Sequence, residues 1–293
     1  MISPSREVVP ASSRPQTLGD RALATRAVKH ALGQLVYRSG LHRAAWRNRA
    51  VIVLFHRIDD RYPHDPITCT RARFAAFCDF FERYFKIVSL SALLDSITRG
   101  ENISRQLVIT FDDGYRDNYE FAAAELKRRG LPACFFVATS FVGSRQAAWW
   151  DVQQAIPSEW MTWDDVRALR DQGFELGAHT RTHADCGCLV GEDARREIVG
   201  SKSQLESELG RRIAHFAFPY GSAARMTETN RTLVQASGFS CCLAADYGVV
   251  SPCDDPYRLD RIPINRWFTT PYQFGFEALR LALEAPSMCD DAD

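Results

Sequence analysis

From residue 51 onward, short apolar runs rich in β-branched and aromatic residues alternate with segments of helical spacing, and no other feature constrains the fold as much. The runs are VIVLF at 51–55, KIVS at 86–89, LVITF at 107–111, ACFFVA at 133–138, FELGA at 174–178, HFAF at 215–218 and CCLA at 241–244. Between them, residues 71–84, 91–99, 117–129, 163–172, 192–209 and 226–236 carry helix-like spacing, as in Phe74, Phe77, Cys78 and Phe81. Strand-then-helix order, repeated, implies a parallel sheet with right-handed crossovers. Six or seven such units predict an α/β chain closed into a barrel. Helix boundaries agree with this. Thr162 caps TWDDV with Asp164 and Asp165 in the first turn, Gly173 follows that helix, and Gly130 with Pro132 ends the one before it. The stretch 140–160 is the longest insertion, and loops of that length tend to be functional.

A chain of 293 residues suits one barrel with a tail. The formal net charge is zero, so composition suggests no nucleic-acid partner. That zero hides an asymmetry. Residues 1–50 hold nine Lys and Arg against Glu7 and Asp20, about +7, balanced by about −7 in the rest. Ser3 to Gln16 read as disordered. From Asp20 to Gly40, Leu23, Val28, Leu32, Leu35 and Val36 recur at helical spacing beside Arg21, Arg26, Lys29 and Arg38. Such a basic amphipathic helix either packs on the domain, the preferred reading, or lies on an anionic bilayer through residues 20–49. The expected division is a basic extension at 1–48, a barrel at 49–285 and a disordered acidic tail at 286–293.

No run reaches the ~20 residues needed to span a bilayer and none has the apolar core of a secretory signal, so the expectation is a cytoplasmic protein, peripheral at the inner membrane face if the helix binds lipid. Nine cysteines in no small-scaffold spacing are expected to be reduced thiols. Cys186 and Cys188, one Gly apart, are a weak metal or redox signal.

The chemically active residue types fall at strand ends. His56 follows VIVLF, Asp112 and Asp113 follow LVITF, His179 follows FELGA, and Pro219-Tyr220-Gly221 follow HFAF. In a βα barrel those ends share one face, where active sites sit. His179 and His183 form H-x3-H. If the segment makes one helical turn, both imidazoles reach one ion. Two His and one Asp leave coordination open for water, the arrangement of a catalytic divalent metal. Asp113 is then the ligand. Asp112 beside it is the base that takes a proton from a water acidified by the metal.

TFDDGY, HTRTH and FPYG, in this order, resemble the polysaccharide deacetylase family, carbohydrate esterase family 4 with its NodB homology domain, from about Val51 to about Phe268. The resemblance implies a distorted (β/α)7 barrel that removes N-acetyl, or less often O-acetyl, groups from sugars. By match to its motifs, Asp112 is the base; Asp113, His179 and His183 bind zinc, with cobalt, nickel or iron(II) as alternatives. Pro219 and Tyr220 form the oxyanion region, the Tyr220 N–H holding the negative oxygen.

Two departures stand out. Ala217 occupies the place of an arginine common in R-x-P-Y, and no L-x-H supplies the usual acid near the C-terminus. The sequence is similar to the poly-N-acetylglucosamine deacetylase branch, where an early His takes the acid's place; His56 in VLFHRI is its counterpart. Arg261, in LDRIPI, resembles an arginine of that branch near the base. Trp149, Trp150 and Asp151 lie in the insertion with Trp163 close after, and Trp150 is the candidate for stacking on a sugar ring. The function expected is removal of N-acetyl groups from an amino sugar within a glycan or a lipid-linked saccharide, as in exopolysaccharide synthesis. The competing readings are an O-acetyl esterase and a catalytically silent sugar-binding barrel.

Overall fold

A computed structural model describes residues 16–285, with side chains from Ala24 onward. The expectations for Ser3 to Pro15 and for 286–293 fall outside it, while Gln16 begins a helix. Among the described residues ten strands occur in chain order: β1 Ala50–Phe55, β2 Arg57–Ile58, β3 Thr68–Cys69, β4 Lys86–Ile87, β5 Gln106–Phe111, β6 Cys134–Val137, β7 Glu175–Ala178, β8 His215–Ala217, β9 Cys241–Leu243 and β10 Ile262–Pro263. Around them lie α1 Gln16–Ser39, α2 His42–Ala45, α3 Arg71–Tyr84, α4 Leu90–Thr98, α5 Ala124–Arg129, α6 Trp149–Gln153, α7 Trp163–Asp171, α8 Gly191–Leu209, α9 Glu228–Ala236 and α10 Pro271–Glu284.

The sheet runs β10-β1-β5-β6-β7-β8-β9, and every pairing in it is parallel. Its seven strands curl into an incomplete barrel wrapped by helices, the distorted (β/α)7 form. β4 pairs with the start of β5 at Lys86↔Gln106, whereas β6 pairs with its end at Thr110↔Cys134. Closure between β9 and β10 is left to single bridges, Leu243↔Leu259 and Ala50↔Val250.

Period-two alternation decides what faces inward. Ile52, Val108, Phe136, Ala217 and Leu243 fill the interior in one cluster, while Val53, Phe55, Ile109, Phe111 and Phe135 pack outward beneath the helices. Gly177 is needed inside, because a Cβ there would lie 2.3 Å from the Phe136 ring. Continuing the alternation past the strand ends carries His56, Asp112 and His179 onto the same inner face.

α1 packs on α10 through a face other than the expected one. Gly33 meets the Tyr272 backbone, His30 Nδ1 lies 2.7 Å from Thr270 Oγ1, and Lys29 pairs with Glu277. Val28, Leu32 and Leu35, at 57%, 40% and 64% exposure, point to solvent. Of the cysteines described, seven are free, but Cys253 is engaged in a disulfide, which corrects the expectation of reduced thiols throughout. No helix among the described residues is long and apolar enough to cross a membrane.

Candidate active site

β5 delivers both carboxylates. Asp112 continues the inward row of Val108 and Thr110, and Asp113 turns back beside it by adopting φ +75°, a left-handed conformation uncommon away from glycine. Both are buried. Arg261 grips Asp112 with two 2.7 Å bonds, Nη1 to Oδ1 and Nη2 to Oδ2, while its Nε donates to the Ala244 carbonyl at 2.7 Å. Burial pushes the Asp112 carboxyl up, but Arg261 and His179 outweigh it and hold the group below its ordinary value. Burial likewise opposes ionisation of Asp113, and His183 and His179 overcome it by a wider margin. Arg261 reaches Asp112 from beside β10, an edge of the sheet.

His179 and His183 do come together, though not on a helical turn. The segment between them is a loop in which Thr180 and His183 hold φ +61° and +58°, and Glu197 of α8 clamps it by accepting from the N–H groups of Arg181 and Thr182 at 2.9 and 2.8 Å. The His179 Nδ1–H donates to the Ala217 carbonyl at 2.8 Å, which leaves Nε2 as the free lone pair. That Nε2 lies 3.4 Å from Asp113 Oδ1, and His183 Nε2 lies 3.2 Å from the same oxygen. Asp113 Oδ1 has no hydrogen-bond partner although it is buried. One potential ligand atom from each of the three residues falls within 4.8 Å of the others. An orphaned carboxylate oxygen facing two imidazole nitrogens fits a divalent cation, and this donor set suits zinc or another first-row metal.

The surrounding cavity measures about 470 Å³ and includes His56, Asp112, Asp113, His179, His183 and Arg261 in its lining. Tyr220 enters with φ +62°, and its ring meets that of His183 edge-on at 4.9 Å. No hydrogen bond inside the described protein uses its N–H. Pro219, just before it, sets this turn without lining the cavity. Trp150 tilts over His183 at 4.5 Å, and Trp149, half exposed, donates to the Tyr220 hydroxyl at 3.2 Å. Trp163 belongs instead to the outer core.

Sequence reasoning missed the frame beneath the insertion. Tyr115 of TFDDGY accepts from Trp150 Nε1 at 2.7 Å and donates to the carboxylate of Asp151, which also takes the Ser158 hydroxyl at 2.6 Å and faces Arg57 Nη1 at 3.3 Å. Arg57 and Asp151 are fully buried, so α6 is pinned to the residue that follows His56. A charged residue next to a candidate acid was the available signal. Tyr247 and Asn265, joined by a 2.9 Å bond at the rim, had none.

Known proteins resemble this chain in sequence pattern and in fold. The pattern of the polysaccharide deacetylase family matches residues 99–241. YxkH of Bacillus subtilis (strain 168), named after the same family, is 23% identical over 159 residues, 54% of this chain and 51% of its own length. The chain therefore spans about half of that relative. The Streptococcus pyogenes deacetylase PplD in complex with acetate superposes with a TM-score of 0.66 at 17% identity, covering 81% of this chain and 99% of PplD. IcaB from Ammonifex degensii gives 0.64 at 22% identity, over 80% and 97%. The de-N-acetylase from Aggregatibacter actinomycetemcomitans gives 0.65 at 17%, over 78% and 99%. These likenesses are of fold.

Proposed function

We propose that the chain, whose residues 99–241 match the polysaccharide deacetylase family, hydrolyses N-acetyl groups on amino sugars of a glycan or lipid-linked saccharide, releasing acetate. The observation that carries the reading is the unpartnered Asp113 Oδ1 between two imidazole nitrogens, with an independently held carboxylate next to it. A divalent ion held by Asp113, His179 and His183 supplies Lewis-acid polarisation and makes water more acidic.

The protein's own groups do the rest. Asp112, kept ionised by Arg261, takes the proton of the attacking water; each of its oxygens retains a lone pair that Arg261 does not use. The Tyr220 N–H donates to the oxygen that becomes negative as the acetyl carbon turns tetrahedral. His56, on the same inner face, gives a proton to the departing amine. An amine is a poor leaving group unless protonated, so this step separates amide from ester hydrolysis. The Trp149, Trp150 and Tyr220 rings form a wall on which a sugar face can stack.

The test is acetate release from N-acetylglucosamine oligomers set against O-acetylated sugars. The reading expects release from the N-acetylated oligomers. Release confined to the O-acetylated sugars would make the protein an esterase, and glycan binding without release would make it a silent sugar-binding barrel. The localisation that fits a lipid-linked substrate is the inner membrane face, approached from the cytoplasm.

A further inference from the structure

Away from the active site, the turn joining α1 to α2 borders a second cavity of about 320 Å³. Arg38, Arg43, Arg83 and Arg105 all line it, and among the described residues none of the four forms an ion pair with a carboxylate. From residue 21 to residue 50 the chain has seven Lys and Arg and no acid. Four guanidinium groups gathered without a counter-charge repel one another. Arg105 also holds the left-handed φ of +59°.

His42 supplies the second observation. It is 3% exposed, stacks on Tyr37 at 4.4 Å, lines the same cavity, and neither of its ring nitrogens completes a hydrogen bond. Burial lowers the affinity of the ring for a proton, and Arg43 and Arg105 act in the same direction, opposed by the Val36 carbonyl. The Val36 carbonyl is the acceptor the ring meets within the protein, so an anion accepting from the other nitrogen would let the imidazole carry a proton on both. Guanidinium-bearing residues that line one cavity with such a ring match the several acceptor oxygens of a phosphate.

Apolar side chains stand beside this cavity. Leu41, 67% exposed, lies between Gly40 and His42, two residues of the lining, and Leu35 at 64% precedes it on α1 in a row with Val28 and Leu32. Residues at this spacing share one helical face, so an apolar strip leads to a cationic cavity. We propose that the cavity binds a phosphate group, and that the strip suits a phosphate carried on a lipid. The site is independent of the deacetylase reading, since none of its residues lines the active-site cavity.

The experiment uses the full chain with two probes: inorganic phosphate, followed through the His42 ring resonances by NMR and by calorimetry, and sedimentation with vesicles. Vesicles of phosphatidylcholine with phosphatidylglycerol are compared with phosphatidylcholine alone. Phosphate should shift the His42 signals, and the exposed triple variant R38A/R43A/R83A, checked for native folding by circular dichroism, should bind it about ten-fold more weakly or worse. Sedimentation with the anionic vesicles, lost in the triple variant and reduced by L35S/L41S, assigns the phosphate to lipid. Phosphate binding without vesicle binding keeps the site and assigns a soluble source. Unmoved His42 signals, or undiminished binding by the folded triple variant, would overturn the proposal.

Discussion

Arg261 shapes Asp112 more than any neighbour, because its planar fork meets both carboxylate oxygens while its Nε is fixed to Ala244. Lysine keeps the charge but cannot keep the fork. R261K should therefore lower kcat about 10²-fold with little change in unfolding by urea; unchanged kcat would remove Arg261 from the machinery. His56 is tested by leaving group. H56A should abolish acetate release from N-acetylated sugars and spare activated acetate esters, and equal losses on both would deny it the role of acid. The residues of this site were readable because three apolar runs each end on a His or an Asp, a coincidence that single motifs lack. Left-handed φ at Asp113, Thr180, His183 and Tyr220 was not readable, since nothing in these residue types announces it. The helical turn expected between His179 and His183 gave way to a loop for this reason, with Glu197 taking the place of a helix as its support.

The longest strands were the most legible. β1 and β5, six residues each, stand out as apolar runs, whereas β10 is two residues of which one is proline. α10 went unassigned although Thr270 caps it and Pro271 opens it. One contact at the opposite end of the barrel ties elements together electrostatically. Glu175 at the start of β7 accepts from the N–H groups of Leu90 and Ser91 at the head of α4 and faces His215 of β8 at 3.9 Å. Burial opposes ionisation of Glu175, yet His215 and Ser91 bring it down to about 2. Burial also opposes protonation of His215, and Cys241 with Glu175 raises it to about 10, the larger shift because it faces both.

The Glu175 contribution is complete above its ordinary value of 4.5 and disappears as pH falls through about 2. That of His215 is complete below 6.5 and disappears as pH rises through about 10. E175Q should accordingly cost about 3 kcal/mol near pH 5 to 6, with the difference from wild type shrinking toward both extremes. Urea unfolding across pH checks this, and a pH-independent difference would refute the ion pair.

At the scale of the molecule, a curled parallel sheet brings to one rim groups that lie far apart in the chain: Asp112 and Asp113 after β5, His179 and His183 after β7, and Arg261 from the opposite edge. The architecture was legible because strand and helix alternate so regularly. How α1 sits was not, since apolar spacing cannot tell a face that packs from one that meets solvent or lipid. The measurement closest to the central claim is acetate release from an N-acetylglucosamine oligomer by metal-stripped full-length protein titrated with zinc. The account predicts no release before zinc is added, saturation at about one zinc per chain, and neither binding nor release in D113A. Undiminished release by the stripped protein, or wild-type zinc saturation in D113A, would contradict it.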